Sequence, residues 1–266
     1  MITPDRLSKV KYLTDSVHNI ESLYGKGTLL DISEPIDHDY LDSGVDQINE
    51  ATGINGYPIG KVIEVFGDSA VGKTTLILEL ILSIQSKGGI CAFIDMENTF
   101  DLNLAMKMGV NIEDVVISQP DSADDAFKII DNLIDSDIFD FICIDSVSAL
   151  VPKSELSMGF ENINSLSQSI LLSNFCRKVV RKLAQKKCSL FFLNQQRVSF
   201  KKGLVQSGGY ILDVYADMRI ELTRLEDIVV NGLIIGHKVR FHFIHNKFNV
   251  LYTETDCELI YGEGFS

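Results

Sequence analysis

The chain has 266 residues, of which 45% are hydrophobic, and a formal net charge of −13 at pH 7. This length and hydrophobic content allow one large domain with a substantial core, with or without a small appendage. The acidic balance argues against a protein that coats nucleic acid through bulk attraction, because its average field repels phosphate. Any DNA binding must therefore use a local basic element.

The sequence shows neither an apolar run of membrane-spanning length nor the apolar core of a secretory signal. We therefore expect a cytoplasmic protein. The cysteines are scattered and form no CxxC pair, so we interpret them as reduced packing residues rather than metal ligands or redox groups. They are Cys91, Cys143, Cys176, Cys188 and Cys257.

The first predicted element is an amphipathic helix over residues 4–25, where apolar residues recur every three or four positions. The segment TLLDIS then predicts a strand, and the acidic stretch SEPIDHDYLDS a linker or surface excursion. The apolar stripe of the helix would pack either on its own core or on a neighbouring subunit. We expect residues 1–35 to form this helix and strand segment and residues 36–266 to form the main domain.

From about residue 36, short apolar strands alternate with helices. The strands are predicted at VIEVF, CAFID, VVISQ, DFICID and SLFFLN. Repeated βα units indicate an α/β fold with a mainly parallel sheet flanked by helices, and a ligand at the carboxyl ends of the strands. After residue 216 the strands become longer, with a turn at Asn231-Gly232, which predicts an antiparallel extension on one edge.

The most informative motif is GDSAVGKT, a complete GxxxxGK[ST] phosphate-binding loop between a predicted strand and a predicted helix. Such a turn aims backbone N–H groups and the positive end of a helix at triphosphate oxygens. Lys73 is expected to reach the β- and γ-phosphates and Thr74 to ligate Mg²⁺. The loop residues are Gly67, Asp68, Ser69, Ala70, Val71, Gly72, Lys73 and Thr74.

Acidic residues at the ends of other strands are expected to face the same phosphates. Asp145 ends the predicted hydrophobic strand FICID, which is typical of the Walker B position that holds Mg²⁺. Asp95 ends the strand CAFID, and Glu97 follows two residues later, where it is the candidate general base for the attacking water. The alternative for Glu97 is a surface position in the loop.

The strand SLFFLN continues into Asn194-Gln195-Gln196-Arg197. Gln195 is a candidate sensor of the γ-phosphate, because an amide can bond it before hydrolysis and lose that bond afterwards. The following segment carries basic residues beside an aromatic and ends in two glycines, a composition suited to DNA. Its candidate DNA contacts are Gln196, Arg197, Phe200, Lys201, Lys202, Gly208 and Gly209. By composition alone an ordinary solvated loop is the more common explanation, and the attachment of this segment to the candidate γ-phosphate sensor is what favours DNA binding.

These strings resemble the bacterial RecA recombinase family over nearly the whole chain. The specific matches are GDSAVGKTT, CAFIDMEN, VVISQPDSADDAF, FICIDSVSALVPKSE, FFLNQQR, Gly208-Gly209 and LIYGEG. The resemblance implies a P-loop NTPase of RecA type whose amino-terminal segment docks on the next protomer. It also implies a DNA-dependent ATPase that forms a filament on single-stranded DNA, pairs it with homologous duplex and exchanges strands.

The resemblance also assigns further residues. Thr75 joins the phosphate and Mg²⁺ site, and Asp101 and Tyr261 would contact the adenine. DNA would meet a first loop at residues 157–164, the helix position Arg177 and a second loop from Gln196 to Gly209. ATP would lie between protomers, and His245 and Lys247 occupy positions where the family has lysines that reach the neighbour's γ-phosphate.

This sequence departs from the family pattern in several places. A cation supplied across a subunit boundary can be worth about 10³ to 10⁵ in turnover, so a largely neutral His245 suggests slower or differently regulated hydrolysis. The first loop has no basic residue, Ile170 replaces an arginine, and Leu104 replaces an aromatic. The sequence stops just after YGEGFS, where the family continues, as expected for either a trimmed protein or a compact, phage-like homologue.

Three functions remain open from sequence. The first is an ATP-dependent recombinase, which the link between sensor and second loop favours. The second is an accessory filament protein that binds ATP and single-stranded DNA but exchanges strands poorly, which His245 and the weakly basic first loop favour. The third is another ATPase with the same core, such as a ring helicase, which would form rings without DNA filaments.

Overall fold

The computed structural model describes residues 4–25, 39–156, 165–199, 203–206, 208–249 and 253–266. The chain divides into two units, residues 1–38 and residues 39–266. In the first unit, the predicted helix is confirmed as α1, Pro4–Tyr24. The strand predicted at TLLDIS lies outside the described residues.

The second unit is built on a ten-stranded sheet whose middle is parallel. Its parallel strands are β3 (Val62–Gly67), β4 (Cys91–Asp95), β5 (Val115–Ser118), β6 (Phe141–Asp145), β7 (Ser189–Ser199) and β9 (Met218–Val230). Their spatial order is β9-β3-β7-β6-β4-β5. The predicted α/β class and the positions of the predicted strands are confirmed.

The edge beside β9 carries the predicted antiparallel extension. It consists of β10 (Leu233–Asn246), β11 (Glu254–Ile260) and β12 (Gly264–Phe265). Asn231 and Gly232 form the turn between β9 and β10, and both have positive φ, 53° and 79°. An Asn-Gly pair tolerates this left-handed backbone, which is why the turn could be predicted.

Helices cover both faces of the sheet. They are α2 (Asp46–Thr52), α3 (Lys73–Ser86), α4 (Leu102–Met108), α5 (Ala123–Asp135), α6 (Lys153–Leu156), α7 (Ser165–Lys186) and α8 (Ile211–Tyr215). Apolar residues of α2 and α3 pack in one core cluster, whereas those of α5, α7 and α8 pack in the other. Among the helices within the described residues, none combines the length and apolar character needed to cross a membrane.

Three short elements near the start of this unit were not predicted. Strands β1 (Tyr40–Leu41) and β2 (Tyr57–Pro58) pair antiparallel around α2. Only β1 lies in the stretch that was interpreted as a linker or surface excursion, residues 33–43. The five cysteines are free and buried, as expected, and burial raises the pKa of each thiol.

The boundary of the second loop also differs from the prediction. Strand β7 continues to Ser199, past the predicted end at Asn194, and pairs antiparallel with β8, Gly203–Gln206. The loop predicted from residue 196 therefore begins as a β-hairpin. Backbone pairing with β8 extends the strand through polar residues that carry no hydrophobic alternation.

Helix α5 provides a direct test of how local sequence stabilises this fold. Ser122 is buried, and its Oγ accepts a hydrogen bond from the Asp125 backbone N at 3.1 Å. Replacing an N-cap serine by alanine typically costs about 1 kcal/mol. We predict that Ser122→Ala lowers the free energy of unfolding by about that amount in urea titrations.

Ser136→Ala, at the exposed end of the same helix, is the matched control. We expect it to change stability by less than about 0.5 kcal/mol. Equal losses for the two variants would contradict the assigned cap.

Candidate active site

The parallel register brings the predicted site residues to one edge of the sheet. Gly67 of β3 pairs with Gln195 of β7, and Asp95 of β4 pairs with Asp145 of β6. A cavity of about 260 Å³ opens at this edge. It is lined by Ser69, Ala70, Gly72, Lys73, Thr74, Thr75, Glu97, Thr99, Asp145, Gln195, Leu259 and Tyr261.

Two glycines shape the phosphate-binding loop. Gly72 has φ of 105°, a left-handed value that side chains rarely allow, and it precedes α3 directly. A Cβ added to Gly67 would lie 2.3 Å from the Leu222 carbonyl oxygen. The loop therefore needs glycine at both positions, and its last turn feeds into the positive end of α3.

Lys73 is 8% exposed and lies against the loop itself. Its Nζ donates hydrogen bonds to the carbonyl oxygens of Gly67 at 3.1 Å and Asp68 at 2.7 Å. Burial lowers the pKa of Lys73, while the carboxylates of Asp145 and Glu97 oppose this shift. The Lys73 ammonium is thus held at the cavity among acidic groups. Phosphate oxygens bound there would add negative charge beside it and further favour its charged form.

Thr74 and Asp145 form an oxygen-rich pair beside the lysine. Thr74 Oγ1 donates to Asp145 Oδ2 at 2.8 Å. Burial raises the pKa of Asp145 to about 6; the Thr74 bond opposes this and the nearby Glu97 adds to it. A hydroxyl and a carboxylate are the hard oxygen ligands that Mg²⁺ takes together with substrate phosphates, so the residues present fit that ion.

Glu97 and Gln195 are in direct contact. Gln195 Nε2 donates to Glu97 Oε1 at 3.0 Å, and the Ser146 hydroxyl donates to the same oxygen. The loop that contains Glu97 is fixed by buried Asp95, which accepts from the backbone N of Thr99 at 3.1 Å. Glu97 therefore lines the cavity rather than the outer surface, and the predicted base touches the predicted sensor.

Tyr261 and Asp101 differ in their placement. Tyr261 lines the cavity, and its hydroxyl lies 3.0 Å from His237 Nδ1 and 3.3 Å from Arg224 Nη2. Asp101 is exposed and caps α4, where its Oδ1 accepts from the Leu104 backbone N at 3.0 Å. Asp101 does not line the cavity formed by the described residues, so its adenine contact remains a prediction.

His245 and Lys247 lie away from the phosphate-binding loop of the same chain. His245 pairs with Arg219 of β9, which pairs with Glu64 in the middle of β3, and Lys247 lies at the far end of that strand. Lys247 Nζ donates to Asp217 Oδ1 at 2.9 Å, and Asp217 Oδ2 accepts from the backbone N of Val62, the first residue of β3. The five steps of β3 to Gly67 span about 17 Å. Burial lowers the pKa of His245, and the nearby Lys247 lowers it further.

The candidate DNA-binding residues that the structure describes do not line the cavity. Arg177 is exposed on α7, and its Nη2 donates to Asn174 Oδ1 at 2.9 Å. Gln196 Nε2 donates to Glu221 Oε1 at 2.7 Å. Gly208 and Gly209 both have positive φ, and Arg197 lies in β7. Phe200, Lys201, Lys202 and the first loop, 157–164, lie outside the described residues.

Comparison with known proteins agrees with this geometry. Residues 11–266 match the family described as RecA N-terminal domain. The chain belongs to the RecA family. It is 38% identical to Protein RecA of Rickettsia canadensis over 97% of this chain and 77% of that protein. It is 36% identical to Protein RecA of Mesoplasma florum over 99% of this chain and 81% of that protein.

Two site residues of this RecA-family chain had no assigned role in the sequence. Ser146, which holds Glu97, directly follows Asp145, so its position after a strand end was a usable signal. Asn194 directly precedes Gln195, and its Nδ2 donates to buried Glu64 at 2.8 Å. No local pattern indicates this second contact, because the partners are far apart in sequence.

The raised pKa of Asp145 leads to a pH prediction. A carboxyl whose folded pKa is about 6, above its unfolded value near 3.8, stabilises the fold while protonated and loses that contribution as pH rises through 6. Asp145→Asn should therefore raise the free energy of unfolding by about 1 to 3 kcal/mol at pH 7.5 without nucleotide. This gain should vanish below pH 4.

Urea titrations between pH 4 and pH 8 measure this difference. Asp15→Asn, at an exposed position of α1, is the control and should follow the wild-type pH dependence. A pH-independent difference between Asp145→Asn and wild type would contradict burial as the cause.

Proposed function

We propose that this chain is a DNA-dependent ATPase of the cytoplasm that forms a helical filament on single-stranded DNA. The filament pairs this strand with homologous double-stranded DNA and exchanges strands in recombination and repair. The observation that carries the proposal is the 3.0 Å bond from Gln195 to Glu97 at the cavity. Gln195 is also followed directly by the hairpin of the second loop, so one residue connects the hydrolytic and DNA-binding parts.

The cavity residues support ATP hydrolysis in complementary ways. Lys73 and the loop amides would bind the β- and γ-phosphates, and Thr74 and Asp145 would hold Mg²⁺. When bound, Mg²⁺ neutralises charge on the phosphates. Glu97 would orient the attacking water and take its proton on a carboxylate oxygen, with Ser146 and Gln195 fixing the orientation of that carboxylate.

The filament is supported by the placement of His245 and Lys247. Lys247 is a whole strand length from Gly67, and His245, level with Glu64, is three residue steps along the sheet from it, about 10 Å, and two strands to the side. Neither lines the cavity of its own chain among the described residues. Acting on the nucleotide of a neighbouring protomer would explain a basic pair at these positions. ATP would then be bound between protomers, and its hydrolysis would weaken the filament.

A second candidate is an accessory filament protein with weak strand exchange. The neutral state favoured for His245 supports it, since a missing trans cation slows turnover. A strand-exchange assay beside an ATPase assay separates the two candidates. DNA-stimulated turnover without joint molecules would select the accessory protein.

Nucleotide-dependent DNA binding tests the proposal. We predict that labelled single-stranded DNA binds more tightly with ATP or a slowly hydrolysed analogue than with ADP. Glu97→Gln should retain ATP binding but slow hydrolysis by about 10² to 10⁴, because general-base catalysis contributes that much. Its ATP-bound filaments should persist longer under electron microscopy.

Lys73→Ala is the companion variant and should abolish ATPase activity, since it removes the buried cation at the phosphates. DNA affinity that is indifferent to the nucleotide would refute the filament switch. Filaments of Glu97→Gln that fall apart faster than wild type would refute Glu97 as the base.

Position 245 gives a test of action between protomers. We predict that His245→Lys raises DNA-stimulated turnover by about tenfold or more, because a trans cation can be worth about 10³ to 10⁵. His242→Lys, on the same strand and partly exposed, is the matched control and should leave turnover unchanged. A rate increase that appears equally in both variants would point to bulk charge instead.

A further inference from the structure

A carboxylate is buried in the centre of the parallel sheet. Glu64 lies in the middle of β3 and is 0% exposed. Burial raises its pKa, and the neighbouring Arg219 opposes that shift. A buried carboxylate is costly unless it is paired and hydrogen-bonded, so its donors are held firmly.

Glu64 has one donor from each neighbouring strand. On the β7 side, Asn194 Nδ2 donates to Oε1 at 2.8 Å. On the β9 side, Arg219 Nε donates to Oε2 at 2.6 Å. Both partners are themselves buried.

Arg219 extends this network to a third element. Its Nη1 lies 2.5 Å from Oδ1 of Asp213 in α8, and the Asp213 side chain is 34% exposed. The guanidinium also lies over the Phe66 ring, 5.3 Å from its centroid. The planar guanidinium can bridge two carboxylates in fixed geometry, whereas an ammonium would act as a point charge.

The network reaches both ends of the second loop, where the loop joins the core of the protein. We call these two ends the bases of the loop. Asn194 stands two residues before Gln196, where the loop begins, and α8 begins two residues after Gly209, where it ends. Asn194 also lies next to Gln195, the residue in contact with Glu97. One buried carboxylate thus anchors both bases of the loop beside the nucleotide cavity.

We propose that Asp213 is a positioning residue for DNA-coupled hydrolysis: through Arg219 and Glu64 it fixes the carboxyl-terminal base of the second loop relative to Gln195. This inference rests on the proposed function, since it concerns how DNA binding reaches the nucleotide cavity. Asp213 touches neither the cavity nor the phosphate-binding loop among the described residues.

The fold does not depend on Asp213. Leu212 and Ala216 of this segment are buried in the core cluster that also contains apolar residues of α5 and α7. In addition, the Ser169 hydroxyl donates to the Gly208 carbonyl at 3.2 Å. Losing the Asp213 carboxylate therefore leaves α8 packed and Glu64 still paired with Arg219. What changes is the orientation of the loop base.

The experiment compares Asp213→Ala with wild type in four measurements: ATP affinity, turnover without DNA, turnover with DNA, and single-stranded DNA affinity with ATP. We expect DNA affinity and DNA stimulation of turnover to fall by roughly tenfold, the loss typical of one charged hydrogen bond. ATP affinity and turnover without DNA should stay within about twofold. Asp213→Glu, which keeps the charge, should restore at least part of the DNA response.

Asp135→Ala is the matched control, because Asp135 also pairs with a basic side chain, Lys182 at 2.8 Å, but lies on α5 away from the loop. It should behave as wild type. Amide hydrogen exchange adds a direct readout: Asp213→Ala should speed exchange in residues 208–216 and not in the phosphate-binding loop.

Several results would overturn the inference. They are an Asp213→Ala variant with wild-type DNA response, one whose ATP affinity falls as much as its DNA affinity, or one with unchanged exchange in residues 208–216. A wild-type protein that shows no DNA-stimulated turnover would instead refute the proposed function, and the inference with it. The wild-type measurement alone distinguishes the two failures.

Discussion

The contact between the Glu97 carboxylate and the Gln195 amide is the interaction on which the proposed function depends. It exists because β4 and β7 run parallel to β3 and reach the same edge of the sheet, so side chains almost one hundred positions apart in sequence meet beside the phosphate-binding loop. A carboxylate held by an amide cannot change partners without moving that amide. Any group that competes for Gln195 therefore acts on the proposed base, Glu97, and on the strand that enters the second loop.

The sheet supports this contact with a polar layer on the face that carries α7 and α8. Glu64 accepts hydrogen bonds from Asn194 of β7 and Arg219 of β9, the two strands on either side of β3, which leads into the phosphate-binding loop. Burying the Glu64 carboxylate has a desolvation cost that a hydrophobic residue at position 64 would avoid. Replacing a buried ion pair by apolar residues is accordingly often neutral or stabilising. The network is thus better explained by its connection of β3, β7 and α8 than by stability.

Local sequence was sufficient to predict much of the fold and part of the site. The motif around Lys73 specifies its own turn and helix start, and apolar strands that end in Asp95 and Asp145 have to place these carboxylates near it in a parallel sheet. The Asn231-Gly232 turn was predictable because few other pairs adopt its backbone. The family match agrees with the resemblance that these strings show.

The parts of the fold and of the site that could not be predicted depend on contacts between residues distant in sequence, or on elements too short to give a pattern. The hairpin of β7 and β8 forms through backbone pairing of polar residues, so side-chain alternation gives no signal for it. The short elements β1, β2 and α2 fall below the length at which periodicity is informative. The bonds from Ser146 to Glu97 and from Arg219 to Asp213 require the strands to be in register first.

The proposed function depends on one step, in which a nucleotide held between two protomers acts on Gln195 and thereby orders the second loop on DNA. Cryo-electron microscopy of the protein with single-stranded DNA, Mg²⁺ and a non-hydrolysable ATP analogue tests this step most directly. We expect a helical filament in which the γ-phosphate contacts Gln195 of one protomer and lies near Lys247 of its neighbour, with the second loop against DNA. A nucleotide enclosed by a single chain, remote from any bound strand, would contradict it.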